Sequence, residues 1–271
     1  MPRANRHYIP GQVWHITHRC HKKEFLLKFA RDRQNWLRWL FESRKRFGLR
    51  ILDYIVTSNH IHLLVVDDSG RDVIPRSLQL IAGRTGQEYN QRKGRKGAFW
   101  EDRYHATAVE SGSYLIQCLL YIDLNMVRTG VIDHPSQWSA SGYIEIQNPR
   151  ERYTLVDQGR LAELLEIGST DELRESHRHW IEDGLKGKSN ARESKWTESV
   201  AVGSMEFVEE TRDRLGNKIK GRKIMESNGA YELRESAPPA YGNGNGNGNA
   251  NDNDFTDRID ALRGKNTWLW D

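Results

Sequence analysis

The chain has 271 residues, 37% of them apolar and 29% charged, with 41 Lys+Arg against 37 Asp+Glu for a formal net charge of +4. That length accommodates a sizeable core and two structural units, and no run approaches the roughly 18 to 20 apolar residues of a membrane-spanning helix. Residues 1–12 lack the apolar centre of a secretory signal, which points to the cytoplasm, while Cys20 and Cys118, far apart and without a CxxC spacing, support neither a disulfide framework nor a zinc ribbon. In chain order, Val13 to Cys20 is rich in β-branched and aromatic residues and predicts a first strand. From Lys28 to Phe47 the residues Phe29, Trp36, Leu37, Leu40 and Phe41 recur at helical spacing, and Gly48 closes the helix as a C-terminal cap. Leu49 to Val56 and His60 to Val66, separated by Thr57-Ser58-Asn59, predict a hairpin. A second helix is expected over Ile74 to Gln91, then a basic loop from Arg92 to Gly97, a fourth strand over Phe99 to Val109, and a third helix from Ser111 to Val127 capped by Ser111 or Ser113.

The order β-α-β-β-α-β followed by a helix is that of an α+β, ferredoxin-like split βαβ fold, an antiparallel sheet with helices on one face. Past Pro135, Leu155 to Ile167, Asp171 to Leu185, Trp196 to Leu215 and Lys218 to Leu233 have amphipathic helical patterns, so a small all-helical module is expected there. Gly242 to Asn249 alternates Gly and Asn and cannot bury a core, which predicts a disordered tail ending in Thr267-Trp268-Leu269-Trp270. Charge divides along the chain: residues 1–130 hold 22 Lys+Arg and 12 Asp+Glu, leaving 19 and 25 for the rest. The first part is therefore the half suited to a polyanion such as nucleic acid.

Two His-x-His pairs occur. His177 and His179 fall in a helical stretch, where positions i and i+2 diverge around the axis. His60 and His62 fall in a strand, where i and i+2 share a face and can both approach one metal ion, although such a pair serves equally as the polar face of a sheet. Tyr121 and Asn125 are four residues apart in the third helix, hence about one turn distant on one ridge. Tyr121 also fits an ordinary core stripe with Leu115, Leu119 and Ile122.

Three segments together carry a resemblance. Tyr54-Ile-Val-Thr-Ser-Asn59-His60-Ile61-His62-Leu63-Leu64-Val65 resembles the histidine strand of single-tyrosine HUH transposases of the IS200-like family, and Tyr121-Ile-Asp-Leu-Asn125-Met-Val-Arg128-Thr-Gly130 is similar to their nucleophile helix. The nearest branch is the REP-associated one, whose helix commonly reads Tyr, three residues, Asn-Pro-Val-Arg-Ala-Gly; here Met126 and Thr129 replace its proline and alanine. Trp138-Ser139-Ala140-Ser141-Gly142-Tyr143 resembles that branch's Trp-Ser-Ser-Tyr element with two extra residues.

The resemblance implies a catalytic domain over 1–148, a helical C-terminal extension over 149–234 and a low-complexity tail over 235–271. It implies Tyr121 as the nucleophile that forms a 5′-phosphotyrosine, and His60, His62 and the Asn125 amide as ligands of Mg2+ or Mn2+. It further implies a single-stranded, hairpin-forming DNA substrate, no nucleotide cofactor and a nucleoid-associated protein. An extra C-terminal region favours a monomer over a homodimer. Candidate DNA-binding cations are Arg19, Lys22, Lys23, Arg84, Arg92, Lys93, Arg95, Lys96, Arg103 and Arg128. Trp14, Trp100 and Tyr104 are candidates either for base stacking or for the core, and His105 for a structural role. The competing function is a regulator that binds palindromic repeats without cutting.

Overall fold

The computed structural model describes residues 8–66, 68, 72–187, 193–219, 221–227 and 229–235; the Gly/Asn alternation and the Thr267–Trp270 ending lie outside the described residues. The chain begins in the expected order, β1 (Val13–Arg19), α1 (Ala30–Phe47), β2 (Arg50–Val56), β3 (His60–Val66), α2 (Val73–Lys93) and β4 (His105–Val109). β1 pairs antiparallel with both β3 and β4, and β3 with β2. The resulting spatial order β2-β3-β1-β4 is that of a ferredoxin-like unit.

Local chemistry accounts for these elements. α1 buries Trp36, Leu37, Trp39 and Leu40 as one apolar stripe and stops at Gly48, whose φ of 74° is open to glycine and lets its N–H bond the Arg44 carbonyl. In β3, period-two alternation sends Ile61, Leu63 and Val65 to one side and His60, His62 and Leu64 to the other. The two crossover helices α1 and α2 pack against each other on the first side. The next helix, α3 (Ser113–Asp123), crosses the second side, where its Tyr121 meets the rings of His15 and His62.

Several boundaries differ from expectation. β4 begins at His105 rather than Phe99: Trp100 still bridges Cys20 beyond the end of β1, but residues 101–104 interrupt the ladder before His105, while Phe99 packs on Gly86 of α2 and the Trp100 indole donates to the Ala82 carbonyl at 3.1 Å. α3 is preceded by Gly112 at φ 69° and has no serine cap, since neither Ser111 nor Ser113 bonds the first turn. It also ends four residues early, at Asp123; Leu124 (φ −80°, ψ 4°) interrupts it before the single turn α4 (Asn125–Arg128).

The largest correction concerns the extension, which is not all helical. After α5 (Gly142–Gln147), α6 (Gln158–Leu164), α7 (Thr170–Lys186) and the short α8 (Lys195–Glu198), the chain forms β5 (Ala201–Gly203), α9 (Met205–Leu215) and a hairpin of β6 (Arg222–Ser227) and β7 (Ala230–Glu235). β5 adds parallel to β4 and the hairpin follows, making one seven-stranded mixed sheet, β2-β3-β1-β4-β5-β7-β6. The stretch expected as a helix over Lys218 to Leu233 holds an Asn-Gly pair at 228–229, a strong hairpin signal, and Gly229 has φ 74°. β6 is half exposed, so its sequence lacks the clean apolar alternation that marks a strand.

The opposite edge of the sheet is covered. Segment 138–141 runs beside β2, with the Val56 N–H donating to the Ala140 carbonyl at 2.9 Å and the Trp138 indole to the Val56 carbonyl at 2.9 Å. Gly142 is required there, because a Cβ would lie 2.1 Å from the buried Asp53 carboxylate. Among the described residues no helix is long and apolar enough to cross a membrane.

Candidate active site

The site lies on the face of β1 and β3 that α3 covers. Antiparallel register sets Thr17 opposite His62 and Arg19 opposite His60, so His15, Thr17, Arg19, His60 and His62 form one polar patch. Tyr121 descends onto it, its ring centroid 5.5 Å from that of His62 and 6.0 Å from that of His15. The His60 and His62 rings are 5.0 Å apart at 83°. Asn125, although separated from α3 by the break at Leu124, still arrives there: its Nδ2 is 3.2 Å from His62 Nε2. The expected quartet of Tyr121, His60, His62 and Asn125 therefore converges within one chain.

Hydrogen bonds fix which imidazole nitrogens are basic. Asn59 Nδ2 donates to the Lys23 carbonyl at 3.2 Å, which turns Asn59 Oδ1 toward His60 Nδ1 at 2.7 Å. An amide oxygen only accepts, so His60 carries its proton on Nδ1 and Nε2 is the basic nitrogen. Lys22 and Lys23 both have left-handed backbone (φ 53° and 59°), the conformation that presents the Lys23 carbonyl to this turn. Burial, with His60 and His15 nearby, holds the His62 pKa well below the ordinary histidine value. Burial likewise lowers His15 to about 3, and a weaker repulsion from His105 acts in the same direction. A neutral imidazole with one basic nitrogen is the form in which histidine binds a metal ion.

Asn125 Oδ1 is buried and has no hydrogen-bond partner among the described residues. An orphaned carbonyl oxygen beside a basic imidazole is costly unless something binds it. Among the described residues no group of three or more His, Cys, Asp or Glu side chains is placed to hold a metal, so an ion here needs this amide as its third protein ligand. The donor set of two imidazoles and one amide oxygen fits Mn2+ or Mg2+ with coordination positions open.

The Arg128 guanidinium stacks 4.3 Å from the Tyr121 ring centroid and donates to the Tyr121 carbonyl at 2.5 Å, so one cation stiffens both ring and helix end. Tyr121 is only 4% exposed, and the Trp196 ring of α8 lies 6.1 Å from it. Arg19 and Arg128 are thus the expected cations that the fold brings to the site. Lys22 and Lys23 are exposed on the loop beside it, and Arg103 is exposed on the loop before β4. Arg84, Arg92 and Lys93 lie on α2, across the sheet from Tyr121, with Lys96 exposed just beyond. These cations have structural partners there: Arg92 is bonded to Asp32, Arg95 bonds the Ala98 carbonyl and Asn90, and Arg84 and Lys93 lie over the rings of Trp39 and Phe29. Trp14 and Tyr104 are buried, and Trp100 stacks on His18 at 4.1 Å, so all three serve packing. His105 donates to or accepts from no catalytic group described above; its Nε2 bonds the Ser199 carbonyl at 2.9 Å, a structural tie between β4 and the extension. His177 and His179 diverge as expected, the first buried against Asp123 and the second exposed beside Asp183.

Sequence reasoning missed His15 and Trp196. Alternation along β1 puts His15 on the same face as Thr17, but which β3 residue it faces depends on register, and Trp196 arrives from 181 residues away.

Residues 11–125 match the family profile described as IS200-like transposase. No curated protein sequence matches the chain significantly. Among solved structures, a REP-associated tyrosine transposase bound to a REP hairpin aligns over 57% of this chain and 90% of its own, with 20% identity and a TM-score of 0.47. A transposase-like protein of Deinococcus radiodurans R1 aligns over 38% of this chain and 82% of its own, with 17% identity and a TM-score of 0.30.

Proposed function

We propose, from the match of residues 11–125 to the IS200-like transposase profile, that this protein is a metal-dependent single-stranded DNA endonuclease and strand transferase using Tyr121 as nucleophile. The observation that carries the reading is the meeting of the Tyr121 ring, the His60–His62 pair and the Asn125 amide on one face of the sheet.

Attack of the Tyr121 oxygen on a backbone phosphorus, with loss of the phenol proton, forms the Oη–P bond and breaks the P–O3′ bond; the departing 3′-oxygen takes up a proton, leaving a 5′-phosphotyrosine and a 3′-hydroxyl. The reverse attack by a 3′-hydroxyl rejoins strands, so the bond energy is kept and no nucleotide cofactor is required. His60, His62 and Asn125 would hold Mn2+ or Mg2+, which when bound supplies polarisation of the scissile phosphate. Arg128 braces the phenol ring and sets positive charge over its face. Arg19, on the same face as His60, is suited to a neighbouring phosphate. Lys22, Lys23 and Arg103 extend that cationic border. Assembly of nucleophile and ligands from one chain supports a monomer acting with its own tyrosine.

The test is incubation of the full chain with a hairpin-bearing single strand and Mn2+ or Mg2+, followed by denaturing electrophoresis. A covalent protein–DNA adduct is expected, absent in Tyr121→Phe while hairpin binding persists. Cleavage that survives Tyr121→Phe would identify a water-using hydrolase, and binding without any adduct in the parent would identify a non-cleaving regulator.

A further inference from the structure

His15 belongs to none of the expected functional residues, yet it is fully buried against the proposed metal ligand. Its two ring nitrogens have different partners. Nδ1 is 3.0 Å from the backbone carbonyl of Trp196, and Nε2 is 2.9 Å from Nδ1 of His62. A carbonyl oxygen has no proton to give, so the proton of this pair resides on His15 Nδ1. The groups that bear on these two buried rings are imidazoles and cations, His60, His105, Arg19 and Arg128, which disfavour a second proton on either. His15 Nε2 is then a lone pair, and the hydrogen between the two rings belongs to His62 Nδ1. One tautomer of His62 remains, with Nε2 basic and directed at Asn125.

We infer that His15 is a positioning residue that relays the direction of the Trp196 carbonyl to His62, locking the His62 proton on Nδ1 so that Nε2 is presented to the metal. The hydrogen bonds run head to tail, from the Asn125 amide to His62, from His62 to His15 and from His15 to the main chain of α8. His60 obtains the same tautomer through its chain neighbour Asn59, which the Lys23 carbonyl orients. His62 has no such local partner, and its orientation is supplied by a segment 134 residues further along the chain. The C-terminal extension thereby enters the metal site through a carbonyl, without contributing a ligand. Outer partners that orient a ligating histidine typically govern metal affinity by about 10–100-fold when removed.

The inference rests on the metal-site reading above, and the experiment separates the two. Long-range proton–nitrogen correlation spectra of the metal-free full chain, labelled at histidine nitrogens, report the tautomers directly. The expected result is a proton on Nδ1 of both His15 and His62. In His15→Leu, which leaves the His62 N–H without an acceptor, Nε2-protonated His62 should appear and Mn2+ affinity should fall by about 10–100-fold. His15→Gln, which offers an amide oxygen where Nε2 stood, should restore both. A parent His62 protonated on Nε2, or a folded His15→Leu that binds Mn2+ as the parent does, overturns the inference. Should His15→Leu fail to fold, the parent tautomers and the His15→Gln affinity decide it. The expected parent tautomers without any Mn2+ binding would uphold the relay and overturn the metal reading.

Discussion

Replacing His177 with leucine tests how the extension holds α3, the helix that carries Tyr121. His177 is fully buried in α7; the Gln147 amide donates to its Nδ1 at 3.0 Å, and its Nε2–H donates to Asp123 Oδ2 at 2.8 Å. The Gln147 amide is itself oriented, donating to the Arg174 carbonyl and accepting from Arg178. Asp123 is the last residue of α3, two beyond Tyr121, and its other oxygen has no hydrogen bond among the described residues. Leucine fills a similar volume but strands the buried carboxylate. Leaving a buried acceptor without its donor costs about 1–3 kcal/mol. At about 2–4 °C per kcal/mol for a chain of this size, Tm should fall by roughly 2–12 °C. Thermal melts followed by circular dichroism measure this. Adduct formation, assayed well below the new Tm, should also decline as the end of α3 loosens. A double-mutant cycle with Asp123→Asn should give a coupling of about 1–3 kcal/mol. A His177→Leu protein that melts with the parent, or strictly additive single substitutions, would refute the proposed link.

Other consequences concern pH, packing and the amide. His15 and His62 have folded pKa values below their unfolded ones, so between about pH 3 and the ordinary histidine value near 6.5 the unfolded chain binds more protons. Their contribution is complete above about pH 6.5 and is lost as pH falls, with a slope of up to about 1.4 kcal/mol per unit for each group. Urea midpoints of the metal-free protein should therefore drop between pH 7 and 5, less steeply in His15→Gln; a flat profile would argue against buried neutral rings. Gly142→Ala drives a Cβ to 2.1 Å from Asp53 Oδ1 and should destabilise by about 1–3 kcal/mol in chemical denaturation. Unchanged stability would mean the β2 edge gives way more easily than its burial suggests. Asn125→Ala removes the orphaned oxygen and should weaken Mn2+ binding, measured calorimetrically, by no less than the roughly 10–100-fold lost with outer partners, while hairpin affinity measured without metal is retained. Equal Mn2+ affinity would exclude the amide as a ligand.

What the sequence determined is what short-range chemistry encodes. The apolar period of α1 with Gly48, the alternation of β3 and the two-strand hairpin each follow from neighbouring residues, and with them the order that makes the ferredoxin-like sheet. Strand alternation alone set His60 and His62 on one face, and the family motifs directed attention to Tyr121 and Asn125. Tertiary structure decided the remainder. The β5 strand has only three residues and is held by pairing with β4, while β6 is half exposed, so neither carries a periodic signal of its own. Sheet register sets His15 opposite Leu64 and so diagonal to His62, and Trp196 and His177 approach α3 from distant parts of the chain. Periodicity is a property of a segment, whereas a hydrogen bond between residues far apart in the chain exists only once the intervening elements have packed.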